Sequence, residues 1–255
     1  MDCKRLSERL DERLRTDAYA DIDASANGLQ IGPATRAVEH AAFAVDGAVE
    51  TIERAGAAGA DVLVTHHGIS WGGIDRVTGR HYEQVATAIE HGVALYCSHL
   101  PLDGHQRLGN AAGIGDLLGL EDRSPFGSLG GEHVGQQGTV PDPIEPATLR
   151  DRLEAELDTG SSGVRLLDFG PDEITDVAIV TGSGVDCLGE AAAAGADVLV
   201  TGEGKQQAYH EARERGVNVV LGGHYATETF GVQSLQDLVE EWGVETTYID
   251  CPTGL

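Results

Sequence analysis

The sequence predicts an α/β protein that contains two copies of an α-β-(β-α)3 repeat with largely parallel sheets. Short aliphatic runs of strand length alternate with amphipathic segments of helical spacing, and strands separated by helices pair mainly in parallel. A nine-residue string, AAGADVLVT, occurs at 57–65 and again 136 residues later at 193–201, which indicates an internal duplication. We therefore expect a first repeat over 1–123 and, over 124–255, a linker hairpin followed by the second repeat.

The first repeat opens with an amphipathic helix, because leucines recur every fourth residue between charged residues. Later in this repeat the duplicated string supplies a buried aliphatic strand that ends at His66 and His67. The predicted elements are a helix over 4–16, strands over 27–32 and 38–45, a helix over 49–59, a strand over 62–64, a helix over 82–91, a strand over 93–98 and a helix over 108–118.

A glycine-rich stretch of alternating character over 125–143 predicts a hairpin or a crossover between the repeats. The order of the first repeat then returns, and its polar strand ends should again lie along one edge of the sheets. The predicted elements are a helix over 149–157, strands over 164–168 and 174–181, an alanine-rich helix from 186, a strand over 197–201, a helix over 206–215, a strand over 217–221, a helix through Leu235 and Leu238, and a strand over 246–249.

The chain is strongly acidic, with a formal net charge of −25 from 42 acidic and 17 basic residues, and its only lysines are Lys4 and Lys205. Because the acids are spread along the whole chain, they predict a uniformly acidic, solvated surface and not a disordered acidic tail. Such a surface repels nucleic acid at ordinary salt. High intracellular salt would screen the self-repulsion, which favours a salt-loving source over an acidic but ordinary mesophilic one.

Composition also bears on location and on cysteine chemistry. No apolar stretch approaches membrane-spanning length, and the first residues lack the apolar core of a signal peptide, so we expect a cytoplasmic protein without membrane contact. The cysteines are widely scattered and form no Cys-x-x-Cys pair, which argues against a thiolate zinc site and against a disulfide framework. They are Cys3, Cys97, Cys187 and Cys251.

Side chains at successive strand ends are candidate metal ligands. Three imidazoles with two carboxylates suit a borderline divalent ion such as zinc, iron, manganese, cobalt or nickel. A carboxylate can use its two oxygens for two ions, so the set could hold a pair of metals about 3.5–4 Å apart with open positions for water. The candidate ligands are His66, His67, Asp103, His224 and Glu228.

Each candidate ligand also has a purely structural interpretation. The His-His pair could be a hydrogen-bonded loop, and Asp103 could cap the helix that follows it. Glu228 could be in the first turn of its helix because a negative charge there interacts favourably with the helix dipole, and His224 could be an ordinary turn residue. The coincidence of five such residues at one expected sheet edge favours the metal site.

Two further strand ends carry His99 and Glu203, either of which could orient a ligand or move a proton near metal-bound water. For each, an ordinary polar loop residue is the alternative. The segment Gly182-Ser183-Gly184 between a strand and a helix could cradle a phosphate through its backbone amides. No Walker or dinucleotide fingerprint is present, so we predict no organic cofactor.

Five short motifs, taken in order along nearly the whole chain, are shared with one known family. They are NGLQIG at 27–32, VTHHG at 64–68, HLPLD at 99–103, TGE at 201–203 and GHYATE at 223–228. Through them the sequence resembles the GTP cyclohydrolase 1 type 2 homologues, also called Nif-three-like dinuclear-metal proteins.

The resemblance implies two intertwined α-β-(β-α)3 repeats with mixed, mostly parallel sheets, assembled as a toroidal homohexamer with two divalent metals per chain facing its cavity. It carries metal ligation onto all five candidates, with Glu228 as the bridging ligand. His67 and Asp103 would share one ion, and His66 and His224 the other. The chain lacks the long insert domain that some relatives carry between the repeats.

The resemblance also implies a metal-dependent hydrolase, with GTP or another nucleotide or phosphoester as the small-molecule substrate. Metal-activated water would attack an electrophilic carbon or phosphorus, assisted by His99 or Glu203. The alternative is a non-catalytic metal-binding ring that serves as a regulator or scaffold and recruits a protein partner.

Overall fold

The computed structural model describes residues 1–255 as an α/β protein with two mixed sheets, and the predicted fold class is confirmed. The chain forms two compact units, one made of 1–102 with 231–251 and the other of 103–230 with 252–255. No helix combines the length and the apolar character that crossing a membrane would require.

The elements agree closely with those predicted from the sequence. The main differences are that strand β3 runs on through both histidines and that two short helices, α4 and α9, are separate elements. 3-10 turns at Thr16–Tyr19 and before α7 are also new, and several element ends shift by a few residues. The helices are α1 (Cys3–Leu14), α2 (Val49–Ala57), α3 (Arg80–His91), α4 (Leu100–Asp103), α5 (Asn110–Leu118), α6 (Pro146–Glu156), α7 (Leu188–Ala194), α8 (Gln206–Arg215), α9 (His224–Thr227) and α10 (Thr229–Glu241). The strands are β1 (Gly28–Ile31), β2 (His40–Asp46), β3 (Val62–His67), β4 (Ala94–Cys97), β5 (Glu121–Leu129), β6 (Glu132–Ile144), β7 (Arg165–Leu167), β8 (Ile174–Ile179), β9 (Val198–Thr201), β10 (Asn218–Leu221) and β11 (Glu245–Tyr248).

The first unit contains a five-stranded sheet in the order β1-β4-β3-β2-β11. β4, β3, β2 and β11 run parallel, and β1 is antiparallel to β4 at one edge. Helices α2 and α3 cover the sheet through a core that includes Ile52, Leu63, Ala88 and Leu95. The central strand is buried along most of its length, which is why its sequence is continuously apolar and not alternating.

The second unit contains a six-stranded sheet in the order β5-β6-β8-β9-β10-β7. β8, β9 and β10 run parallel at its centre, and the flanking pairs are antiparallel. Its core joins α5 and α6 to these central strands through residues such as Ile114, Leu149, Val177 and Val200. The predicted linker hairpin is β5–β6, and its two-residue turn is Gly130-Gly131, both at positive φ as a tight hairpin turn requires.

The duplicated string has the same structure in both units. In each copy a helix ends, a glycine adopts positive φ (Gly59 at 78° and Gly195 at 82°), and an aspartate precedes the central parallel strand. Asp61 accepts hydrogen bonds from two successive backbone N–H groups at the start of β2, at 2.9 and 3.2 Å. Asp197 does the same at the start of β8, at 2.8 and 2.9 Å. The repeat therefore preserves a turn and a strand-linking carboxylate as well as a strand.

The compact units do not follow the order of the chain, because β11 near the C-terminus pairs in parallel with β2. This pairing covers an edge of β2 that would otherwise expose its hydrogen-bonding groups. As a result, residues 231–251 belong to the same compact unit as residues 1–102. The boundary between 1–123 and 124–255 concerns the duplicated repeats and stays a prediction.

Candidate metal centre

His66 and His67 are the last two residues of β3, the central strand of the first unit. His66 is fully buried, and its Nδ1 donates to the Ser98 carbonyl oxygen at 3.1 Å. His67 is partly exposed, and its Nδ1 lies 2.9 Å from Oδ1 of Asp46, its register partner on β2. The two ring centroids are 4.6 Å apart. The predicted pair of imidazoles is therefore held in place at the carboxyl end of the strand.

His99, which follows β4, lies beside this pair. Its ring centroid is 5.1 Å from that of His66 and 5.7 Å from that of His67. One ring nitrogen from each of the three histidines lies within 4.8 Å of the others, so they form a group that could hold a metal ion. The sequence suggested His99 for proton transfer or for orienting a ligand, and its position is compatible with ligation as well.

The residue that holds His99 is Asp23, which no pattern in the sequence indicates. Asp23 Oδ1 lies 2.9 Å from His99 Nδ1, and Asn27 Oδ1 accepts from the His99 backbone N–H at 2.7 Å. Burial alone would raise the pKa of Asp23, but hydrogen bonds from His99, Asn27 and the Ser25 N–H outweigh it, so the pKa lies below its ordinary value. Asp23 is therefore an ionised group that fixes the ring of His99.

In the second unit Asp103 and Glu228 form a pair of buried carboxylates, 8% and 3% exposed. Oxygens of the two groups lie within 4.8 Å of each other. Asp103 Oδ1 accepts from Asn110 Nδ2 at 2.9 Å and from Thr181 Oγ1 at 3.4 Å. Acidic side chains are rarely this buried unless they are paired or bind a cation, which makes the pair a candidate cation site.

His224 begins helix α9, and Glu228 follows the last residue of that helix. The predicted four-residue spacing does turn both toward one point, because His224 Nε2 lies 3.2 Å from Glu228 Oε2. On the other side of the ring, His224 Nδ1 lies 3.4 Å from Oε1 of Glu203. The same oxygen of Glu203 accepts a hydrogen bond from Ser183 Oγ.

This carboxylate environment alters the protonation of both groups. The hydrogen bond to Glu228, together with the charges of Glu228 and Glu203, outweighs burial and raises the pKa of His224 to about 9. The hydrogen bond from Ser183, assisted by His224, lowers the pKa of Glu203 despite partial burial. Without a metal, His224 is therefore a cation at neutral pH between two carboxylates.

The glycine segment 182–184 lies against these carboxylates, which does not suit the phosphate cradle considered from the sequence. Ser183 donates to Glu203, and a Cβ on Gly182 would lie 2.1 Å from Glu228 Oε1 and 3.1 Å from His224 Nε2. Gly182 also has a φ of 56°. A glycine is needed here because any side chain would displace the Glu228 carboxylate.

Replacing this glycine provides a first prediction, for which Gly195 is a matched control. Gly182→Ala and Gly195→Ala both put a side chain at positive φ, so each should lower the free energy of unfolding by about 1–2 kcal/mol. Nothing lies within 4 Å of a Cβ on Gly195, whereas at Gly182 the Glu228 carboxylate must move. We expect only Gly182→Ala to weaken metal binding, by about tenfold or more, in a zinc competition titration. Equal metal affinity of the two variants would contradict this function for Gly182.

Comparison with known proteins gives the chain its family. The profile of the Duf34/NIF3 (NGG1p interacting factor 3) family matches residues 1–253. The chain belongs to this family. A relative from Halobacterium salinarum, named GTP cyclohydrolase 1 type 2 homolog, is 56% identical over 255 residues and is covered in full, as is this chain.

Solved structures of the Duf34/NIF3 fold agree. A protein described as ybgI, of unknown function, superposes with a TM-score of 0.91 at 30% identity, and the protein TTHA1606 from Thermus thermophilus with 0.89 at 35% identity. Both matches cover 100% of each chain. The resemblance seen in the sequence motifs is thereby confirmed.

Within each unit the structure brings the predicted site residues together. The first unit holds His66, His67 and His99, and the second holds Asp103, Glu203, His224 and Glu228. Groups of these His, Asp and Glu residues could bind a metal ion. The Duf34/NIF3 chain therefore has imidazole donors in the first unit and imidazole and carboxylate donors in the second.

Proposed function

We propose that this protein is a metal-dependent hydrolase with a dinuclear centre, and that two divalent ions per chain are held by His66, His67, Asp103, His224 and Glu228. Glu228 would be the ligand shared by both ions, since a carboxylate has two oxygens to offer. Zinc, iron, manganese, nickel and cobalt all suit a set of imidazole and carboxylate donors.

The observation that carries the proposal is the way the imidazoles of β3 are held. Nδ1 of His66 donates to a backbone carbonyl, and Nδ1 of His67 faces the Asp46 carboxylate. Such acceptors fix the tautomer with its proton on Nδ1, which puts the lone pair of each neutral ring on Nε2. Metal-binding histidines in proteins almost always have this arrangement. Neither bond is needed for the strand itself, which is already paired on both sides.

The buried carboxylates of the second unit fit the same group. Asp103 and Glu228 bring two carboxyl groups into a region that is almost wholly shielded from water, and of the two only Glu228 faces the imidazole of His224. A divalent cation suits such a buried pair of acids, and oxygen donors complete the coordination of the metals named above. The amide of Asn110 and the hydroxyl of Thr181 orient Asp103 through its Oδ1.

Bound metal supplies one piece of chemistry, which is to lower the pKa of a water and orient it for attack. The chain itself supplies proton transfer. Asp23 holds Nδ1 of His99 and so directs Nε2 of that ring away from the carboxylate, where it can accept a proton. Glu203 is ionised and half-exposed, so it can exchange protons with solvent. We assign both residues to proton transfer.

For the substrate we propose a nucleotide or a phosphoester, since relatives carry the name GTP cyclohydrolase 1 type 2 homolog. The test uses purified protein with restored zinc, iron or manganese, assayed against GTP by release of formate and against a panel of nucleotides and phosphoesters by release of phosphate. Turnover of GTP supports ring opening, and turnover of a phosphoester supports the broader hydrolase. If the metal-loaded protein leaves GTP unchanged, the protein is not a GTP cyclohydrolase.

A second candidate is a non-catalytic metal-binding ring that recruits a protein partner, and one observation favours it. Tyr82 and Ile89 are seven residues apart on α3 and are 61% and 69% exposed, so one face of this helix presents apolar surface. Such surface is typical of contacts with other chains. We propose assembly as a homohexamer on the strength of family resemblance, and native mass spectrometry would count the chains directly.

A further inference from the structure

Trp71 lies beside the histidine cluster of the first unit with its ring partly in solvent. Its centroid is 4.9 Å from that of His99, nearly perpendicular to it, and 5.9 Å from that of His67. The residue is 47% exposed. About half of this large aromatic surface is left in water, so packing within the first unit uses only part of the ring.

The backbone on both sides of Trp71 is firmly held, which fixes where the ring can lie. Ile69 is buried, and its N–H donates to Gln30 Oε1 at 2.8 Å. The Ser70 carbonyl accepts from the Ala26 N–H at 3.1 Å, and the Gly72 N–H donates to the Ala24 carbonyl at 2.6 Å. Trp71 therefore projects from an anchored loop segment, not from a mobile tip.

We propose that Trp71 is the platform on which a planar heteroaromatic ring of the substrate, of the nucleobase class, stacks beside His67 and His99. Indole faces bind nucleobases with little preference among them, because every base has a π-face. A base stacked there lies next to the groups that we assign to metal binding and proton transfer. The inference rests on the proposed function only for the location of the chemistry, since stacking itself needs no metal.

The chain allows a direct readout of this contact. It contains two tryptophans, Trp71 and Trp242, and the second packs under the guanidinium of Arg9, 3.7 Å from the ring centroid. In a Trp242→Phe background Trp71 is the sole tryptophan, and its emission is followed during titration with guanosine, adenosine or uridine. We expect saturable quenching by the nucleosides, in metal-stripped and metal-restored protein alike, and none by ribose 5-phosphate.

Equilibrium dialysis then measures affinity in variants of the otherwise unaltered protein. We expect Trp71→Ala to weaken nucleoside binding by about tenfold or more, and Trp71→Phe, which keeps a ring, by no more than about threefold. Val77→Ala removes another exposed apolar side chain of the same loop, 50% exposed, and should leave affinity unchanged. Metal content and the thermal midpoint should be the same in all three variants.

Several results would overturn the inference: no saturable quenching, equal nucleoside affinity in Trp71→Ala and wild type, or loss of metal from Trp71→Ala in parallel with loss of nucleoside. The last would mean that Trp71 acts by supporting the histidines. Nucleoside stacking without turnover of any substrate would refute the proposed function and leave the platform intact. Metal-dependent turnover of phosphoesters that lack a base, without nucleoside binding, would refute the stacking platform and leave the proposed function intact.

Discussion

A His67→Ala, His224→Ala double variant is expected to lose the metal that the wild-type protein carries, which elemental analysis should find at about two equivalents per chain. The variant removes one imidazole from the donors of each unit. The donors that stay are too few to complete the coordination of a borderline divalent ion, and the buried acids alone favour harder cations. We therefore expect a fall to background for zinc, iron, manganese, cobalt and nickel.

The control for this experiment is His210→Ala, which removes an exposed imidazole from helix α8 outside both donor groups. It should retain the wild-type metal content. Wild-type protein that takes up no metal even after incubation with zinc, iron or manganese would mean that the donor groups are misread. A non-catalytic ring that recruits a protein partner without bound metal would then be the favoured hypothesis.

The single variant His67→Ala separates a catalytic metal from a structural one. Its ring is partly exposed, and the rings that lie against it are those of His66, His99 and Trp71, so its loss should leave the fold intact. If the centre is catalytic, turnover disappears while the thermal midpoint of the metal-free protein is unchanged. If the metal is structural, the variant instead loses stability or assembly under conditions where the wild type is loaded.

The metal-site candidates could be found from the sequence because each follows from chain-local information. An aliphatic run identifies a strand, and the polar residue where the run stops must lie at the end of that strand. The carboxyl ends of parallel strands meet at one edge, so His66, His67 and His99 could be grouped without coordinates. His224 and Glu228 could be paired because four residues make about one turn of helix.

The groups that orient these side chains could not be found in the same way. Asp46 reaches His67 only because β2 and β3 pair in the register that sets these two residues opposite each other, and a shift of one residue would turn the carboxylate to the other face. Asp23 lies 76 residues before His99, in a segment without periodicity. The sequence also does not show which sheet β11 joins, because its residues are compatible with a strand at the edge of either sheet. In the structure β11 pairs with β2.

Metal affinity is expected to increase by about tenfold per pH unit between about pH 7 and pH 9, and to level off above that range. The reason is the raised pKa of His224, about 9, in the metal-free protein. A metal binds only the neutral imidazole, so below this pKa the ion that His224 binds must displace a proton. Competition titration with a zinc-buffering chelator at each pH measures the effect. Affinity that does not change between pH 7 and pH 9 would contradict ligation by His224.

The variant Glu203→Gln provides the control, because the charge of Glu203 contributes to the raised pKa of His224. Removing it should lower that pKa and move the steep region of the affinity curve toward lower pH.

The stability of the metal-free protein provides a second check, because it should fall over the pH range in which metal affinity rises. The ion pair stabilises the metal-free fold fully below the ordinary histidine pKa of 6.5, and this contribution is lost as the pH rises through about 9. Metal gains affinity over the same range, so the difference between the thermal midpoints with and without metal should widen as the pH rises. Both trends follow from competition between a proton and a metal for the same nitrogen of His224, the atom that lies beside Glu228.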